Sequence, residues 1–241
     1  MSTASPCSLG SLDAEHAIEE AHRRLAAVRT RIERAAAAAG RDPRHVTLVA
    51  VGKRHPPRAI EALYVAGQRD FGENYLQELR DKARELADLP GLRWHTIGPV
   101  QRNKARYAAR FSDVVHTLNG EALAEELSRR AEAAGRRLRA LVQVNLSREP
   151  RRAGIAPERL DGLLHVCRNL PGLQVVGLMT LPPATANPEA ARPFFAELRR
   201  LAESHGLPER SMGMSADLEV AVQEGATLVR VGTALFGPRP R

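Results

Sequence analysis

Residues 46–57 read Val46-Thr47-Leu48-Val49-Ala50-Val51-Gly52-Lys53-Arg54-His55-Pro56-Pro57. The first six form a short apolar run, and the glycine and prolines behind it end the element, so the stretch reads as a buried strand. The residues directly behind the strand separate two fold classes. A doubly wound nucleotide-binding sheet places a G-x-G-x-x-G turn after its first strand. This chain places one glycine there and then a lysine. Only three of its 36 basic residues are lysines. Arginine keeps its proton in proteins, whereas a lysine amine can lose it and attack a carbonyl. Lys53 at the mouth of a buried strand is therefore a candidate Schiff-base former. A lysine that merely ends a strand in solvent is the competing reading.

Outward from this stretch, strands alternate with helices. A long amphipathic helix over Asp13 to Ala39 comes first and ends at Gly40 and the turn Arg41-Asp42-Pro43. Strands follow at Val46–Val51, around Asp70-Phe71, and at Arg93–Ile97, Asp113–Thr117, Leu138–Leu146, Leu173–Met179, Arg210–Met212 and Leu228–Val231. Helical periodicity fills Asn74–Ala87, Glu121–Ala134, Pro157–Leu170 and Glu189–His205. Eight strands in alternation with helices, in 241 residues, predict an α/β fold, a single (β/α)8 TIM barrel. No linker or composition break divides it. The expected organisation is a disordered leader over residues 1–11 and one barrel domain over residues 12–241.

Composition limits the functional classes. Hydrophobic content of 43% supports a real core. No apolar stretch approaches the roughly 20 residues of a membrane span, and the N-terminus has no secretory pattern. Two cysteines do not make a disulfide framework, and Cys167 reads as a buried small hydrophobe. A cytoplasmic location is expected. The net charge of +8 would permit nucleic-acid binding. However, the arginines are spread along helices among acids, as in Glu125-Glu126 before Arg129-Arg130, and aromatics are 4%, too few for base-stacking platforms. No nucleic acid, no membrane and no metal site are expected.

Barrel active sites form at the carboxyl ends of the strands, and the unusual polar residues fall there repeatedly. Lys53 follows the first strand, Gly72-Glu73-Asn74-Tyr75 the second, and His95 with Gly98 to Lys104 the third. Asn145 ends the fifth, Met179-Thr180 the sixth, and Met214-Ser215 follows the seventh. Arg230 with Gly232-Thr233 closes the eighth. Alternation of side chains along a strand puts Lys53 on one face with Val51, Val49 and Thr47. It points Arg230 into the barrel, because Val229 and Val231 take the outer face. A charged group there needs an acceptor or an anion. An internal salt bridge to Glu73 or Asp113 and a ligand on the barrel axis remain open alternatives. Gly232 allows close backbone approach, and the residues after it can open a short helix whose N–H groups bind phosphate. Ser215 can add a hydroxyl. His95 is either a satisfied strand histidine or part of the pocket wall.

These segments resemble the YggS/PROSC family of pyridoxal phosphate homeostasis proteins, whose fold is similar to the barrel domain of alanine racemase. The resemblance is carried by Ala50-Val51-Gly52-Lys53, Phe71 to Glu78, Trp94 to Lys104, Ser211 to Asp217 and Val229 to Gly237. Departures are Gly52, where the family commonly has a small hydroxyl residue, Arg54-His55, Arg102 and Arg151-Arg152. The resemblance implies pyridoxal 5′-phosphate (PLP) held as a Schiff base on Lys53, with Arg230 at the pyridine nitrogen. It implies phosphate held by Ser215, Gly232 and Thr233, and a pocket lined by Asn74 and His95. No catalytic residue is assigned. Alanine racemases add a C-terminal β-domain with a tyrosine base, and only Pro238-Arg239-Pro240-Arg241 follow Gly237 here. The expectation is thus a monomeric cofactor carrier in intracellular PLP homeostasis, not an enzyme, with apo forms of PLP-dependent enzymes as recipients. A weak PLP-dependent amino-acid racemase is the alternative. An aldolase-like barrel is a third, lacking an obvious base near the lysine.

Overall fold

A computed structural model describes residues 11–238. Residues 1–10, most of the expected leader, lie outside the described residues. Helix α1 (Ser11–Ala38) precedes β1 (Thr47–Val51), α2 (Pro57–Val65), β2 (Asp70–Glu73), α3 (Leu76–Glu85), β3 (Arg93–Thr96), α4 (Ala105–Phe111) and β4 (Val114–Leu118). Then come α5 (Glu121–Ala133), β5 (Leu138–Gln143), α6 (Leu160–Arg168), β6 (Leu173–Met179), α7 (Arg192–Ser204), β7 (Glu209–Ser211), α8 (Leu218–Gln223), β8 (Leu228–Val231) and α9 (Thr233–Phe236). The eight strands pair in chain order into a closed parallel barrel, with β8 returning to β1. Closure leaves no sheet edge.

Strand alternation divides the core in two. Val49, Val114, Leu141, Val176, Met179 and Leu228 form a small cluster inside the barrel. Leu48, Ala50, Val229 and Val231 belong to the larger cluster between barrel and helices, as the alternation along β1 and β8 predicts. Helix α1 docks its apolar stripe, with Leu25, Val28 and Ile32 buried, and reaches α8 through a pair between Arg31 and Glu219 at 2.6 Å.

Two features differ from the sequence reading. Strand β5 stops at Gln143, and Val144 then bridges Ile155. Asn145 consequently shapes the following loop, donating from Nδ2 to the Glu149 carbonyl at 2.8 Å. The helices α2, α4 and α8 were not legible. They run to nine, seven and six residues, which give a 3.6-residue period few turns to repeat.

Surface charge is largely paired. Glu126 takes Arg129 at 2.6 Å and Arg130 at 2.8 Å, and Arg192 bridges Glu189 and Glu224. Cys167 is buried on α6, and burial pushes its thiol up to about 11. Among the described residues no helix is long and apolar enough to cross a membrane.

Candidate cofactor site

A cavity of about 390 Å³ opens at the carboxyl end of the barrel, lined on its polar side by Lys53, Asn74, Ser215, Arg230, Gly232 and Thr233. That volume falls in the range of small-ligand sites. Six of the seven predicted cofactor-contacting residues therefore converge. The wall also includes Met214, beside Ser215, and His55, Ile97 and Leu181, which the sequence reading did not place there. His55 is buried and stacks on Phe236, ring centroids 4.9 Å apart. No periodic signal marks a histidine in a loop as a wall residue.

His95 is the exception, and the expectation for it is corrected. It does point into the barrel, as alternation requires, but it lies two residues before Ile97 and one level below the cavity. Its Nε2 meets Asp70 Oδ1 at 3.0 Å and its Nδ1 meets His116 Nε2 at 2.9 Å. His95 instead lines a cavity at the opposite end of the barrel with Asp70, Arg93 and Asp113. Period-two patterning gives a side chain's face but not its height along the barrel axis.

Lys53 sits on a tightly held turn. The amide of Gly52 donates to the Gly72 carbonyl at 3.0 Å, and the amide of His55 donates to Gly52 at 3.0 Å. Arg54 adopts a left-handed backbone with φ of 62°, a conformation that costs free energy in a non-glycine residue. Its amide donates to Glu78 Oε2 at 2.8 Å. The buried Lys82 ammonium completes the clamp, reaching Glu73 Oε1 at 2.7 Å, the Gly52 carbonyl at 2.8 Å and Glu78 Oε2 at 3.3 Å. Burial pushes the Glu73 carboxyl up to about 7, against the opposing pull of Lys82 and, more weakly, of Lys53.

Asn74 is fixed from behind. Gly98 packs so tightly that a β-carbon there would lie 2.1 Å from the Asn74 carbonyl oxygen, and Thr117 Oγ1 donates to the Gly98 carbonyl at 2.7 Å. Asn74 Oδ1 is buried without a hydrogen-bond partner. On the opposite wall Gly213, at φ of 90°, passes against Ala221 with no room for a side chain. The Met214 amide then donates to Asp217 Oδ1 at 2.6 Å, and Arg31 holds the Ser215 carbonyl at 2.9 Å. The loop bearing Ser215 is thus held by α1 and the start of α8.

Arg230 is 4% exposed. It donates from Nη1 to Ser211 Oγ and from Nη2 to the Thr180 carbonyl at 3.1 Å. Neither Glu73 nor Asp113 reaches it. Glu73 is taken by Lys82, and Asp113 accepts from the Trp94 amide at 2.7 Å and lies 3.4 Å from Arg136. Burial lowers the guanidinium to about 10, with Asp217 acting in the other direction. The internal salt bridge considered from sequence is not formed among the described residues.

The comparisons with known proteins agree with this geometry. The model of the alanine racemase N-terminal domain matches residues 24–240. A Pseudomonas aeruginosa protein named pyridoxal phosphate homeostasis protein is 49% identical over 217 residues, 89% of this chain and 94% of the relative. The chain belongs to the pyridoxal phosphate homeostasis protein family. Among solved structures, PipY of Synechococcus elongatus, determined with PLP bound, is 41% identical, with a TM-score of 0.79 over 90% of this chain and 100% of that one. Alanine racemase from Corynebacterium glutamicum shares the fold at 19% identity and a TM-score of 0.67, and this chain covers 62% of its length. The family's barrel is therefore of the alanine racemase type.

Proposed function

We propose that this protein binds pyridoxal 5′-phosphate in the cavity at the carboxyl end of the barrel and serves PLP homeostasis as a carrier rather than a turnover enzyme. The observation that carries the reading is the meeting of Lys53, Arg230, Ser215, Gly232, Thr233 and the unpartnered Asn74 Oδ1 around one cavity. The fit is chemical. An amine, an orphaned amide oxygen and a fixed cation are what an aldehyde, a phenolic hydroxyl and a pyridine nitrogen require. The relatives named for PLP homeostasis and the PLP-bound PipY structure support it.

Lys53 would hold the cofactor covalently through its amine. Ser215, Thr233 and the first turn of α9, whose leading N–H groups have no partner within the helix, would take the phosphate. Asn74 Oδ1 would accept from the ring hydroxyl, and Arg230 would face the ring nitrogen. When bound, PLP supplies an electrophilic carbon and a ring that withdraws electrons best when its nitrogen is protonated. An arginine that keeps its own proton at neutral pH does not provide that protonation, so Arg230 favours holding the cofactor over carbanion chemistry. The same reading makes the chain a single barrel domain, acting as a monomer in the cytoplasm.

Absorption spectroscopy of the purified protein with PLP, followed by borohydride reduction and peptide mapping, tests the site. Cofactor mass fixed on Lys53 is expected; full labelling in Lys53→Ala would overturn the assignment. Incubation with L-alanine in deuterated water tests the carrier reading. Rapid α-deuteration with accumulation of the D-enantiomer, at about 1–1,000 per second, would establish the racemase instead.

A further inference from the structure

A single file of hydrogen-bonded side chains crosses the barrel interior from the cofactor cavity to the opposite end. Arg230 on β8 meets Ser211 Oγ on β7. Ser211 Oγ lies 2.8 Å from His116 Nδ1 on β4, and His116 Nε2 lies 2.9 Å from His95 Nδ1 on β3. His95 Nε2 lies 3.0 Å from Asp70 Oδ1 on β2, and Asp70 also takes Arg93 at 2.7 and 2.5 Å. Ser211 and His116 are fully buried, and His95 is 2% exposed.

One direction satisfies every link with neutral imidazoles. A guanidinium can only donate, so Ser211 Oγ accepts from Arg230 and has its own hydrogen to give to His116 Nδ1. His116 is then neutral with its proton on Nε2, which it donates to His95 Nδ1. His95 in turn carries its proton on Nε2 and donates it to Asp70, whose only role can be that of acceptor. Burial foremost, and the positive charge of Arg230, hold His116 well below its ordinary value. The file thus runs donor to acceptor from a buried cation to an anion, through three neutral groups whose hydrogens all point one way. Hydrogen bonds polarise one another along such a row.

Resting on the reading of the cavity as a PLP site, we propose that Ser211, His116 and His95 are positioning residues for Arg230. They fix its guanidinium against the cofactor ring through a hydrogen-bonded row that ends on Asp70. Asp70 is itself paired with Arg93, and the contacts with Ser211 and Thr180 leave the other N–H groups of Arg230 available to a ligand.

The test combines imidazole ¹⁵N NMR with PLP titration followed by the absorption of the bound cofactor. In the cofactor-free wild-type protein both His95 and His116 should appear as neutral Nε2–H tautomers. Ser211→Ala and His116→Leu should weaken PLP about fivefold, the equivalent of roughly 1 kcal/mol for one hydrogen bond, and should move the cofactor's absorption maximum. His116→Gln, which can still accept and donate, should restore both. Thr96→Val breaks a buried hydroxyl pair with Ser112 at 2.7 Å outside the file, and should lower stability without moving the absorption. An Nδ1–H tautomer at His116, or wild-type affinity and spectrum in Ser211→Ala and His116→Leu, would overturn the proposal. A wild-type protein that takes up no PLP would overturn the cavity reading itself, and this role with it.

Discussion

Gly98, in the loop after β3, lies against the backbone of Asn74, and a β-carbon on it would stand 2.1 Å from the Asn74 carbonyl oxygen and 2.7 Å from its α-carbon. Both obstacles are main chain, so neither can swing aside. The contact ties the loop after β3 to the residue that offers the cavity its unpartnered amide oxygen.

Gly98→Ala should therefore displace Asn74 outright. The expected cost is about 1–3 kcal/mol of stability, typical of overpacking, with weaker PLP binding. Urea unfolding and cofactor titration check it. Unchanged affinity would mean that Asn74 does not touch the ligand.

Lys82 is the sole cation within ion-pair distance of Glu73 among the described pairs, and Glu73 Oε2 is buried without a partner. Lys82→Met should destabilise the protein by about 3 kcal/mol at pH 8, since breaking a buried pair strands a charge. The sign with pH follows from the raised carboxyl. Between its ordinary value of 4.5 and about 7, the folded state binds the proton that the unfolded state releases, so this group's contribution falls as pH rises. Losing Lys82 extends that window upward. The deficit of Lys82→Met should thus shrink toward pH 5, read as denaturation midpoints across pH.

Arg230→Met should separate binding from stability. With no carboxylate in contact, its removal strands no buried anion, so the cofactor-free protein should unfold within about 1 kcal/mol of wild type, one hydrogen bond's worth. PLP retention should fall by about tenfold or more, the effect of losing a charged hydrogen bond. Equilibrium unfolding and dialysis of the loaded protein check the two halves. A loss of several kcal/mol without cofactor would point to a mainly structural role.

Asp70 should govern part of the acid limb. Burial opposes its ionisation, but hydrogen bonds from His95 and Arg93 prevail and hold it at about 2, below the ordinary 3.8. The shift corresponds to about 2 kcal/mol. That contribution is present above about pH 4 and is lost as pH falls through 2. The stability gap between wild type and Asp70→Asn should be largest above pH 4 and close toward pH 2, measured by thermal unfolding.

The run from Val46 to Lys53 and most of the later strands were legible as short apolar segments between breakers, whereas β2 (Asp70-Phe71-Gly72-Glu73) and β7 (Glu209-Arg210-Ser211) carry only a weak pattern of their own. Alternation then settled which side chains of β1 and β8 face inward. Lys53, Asn74, Ser215, Arg230, Gly232 and Thr233 were legible for the same reason: all lie at or just beyond the carboxyl end of a strand, where a barrel gathers them. The tertiary structure decided what depends on height and on neighbours from distant strands. Strand closure and stagger place His95 one level below the cavity, against Asp70 and His116. They give Arg230 a serine and a carbonyl instead of a carboxylate, and they bring the loop histidine His55 into the wall. A residue's face repeats every second position along its own strand and can be read from one dimension. Its partners across the barrel are set by the register of eight strands at once, which no local pattern records.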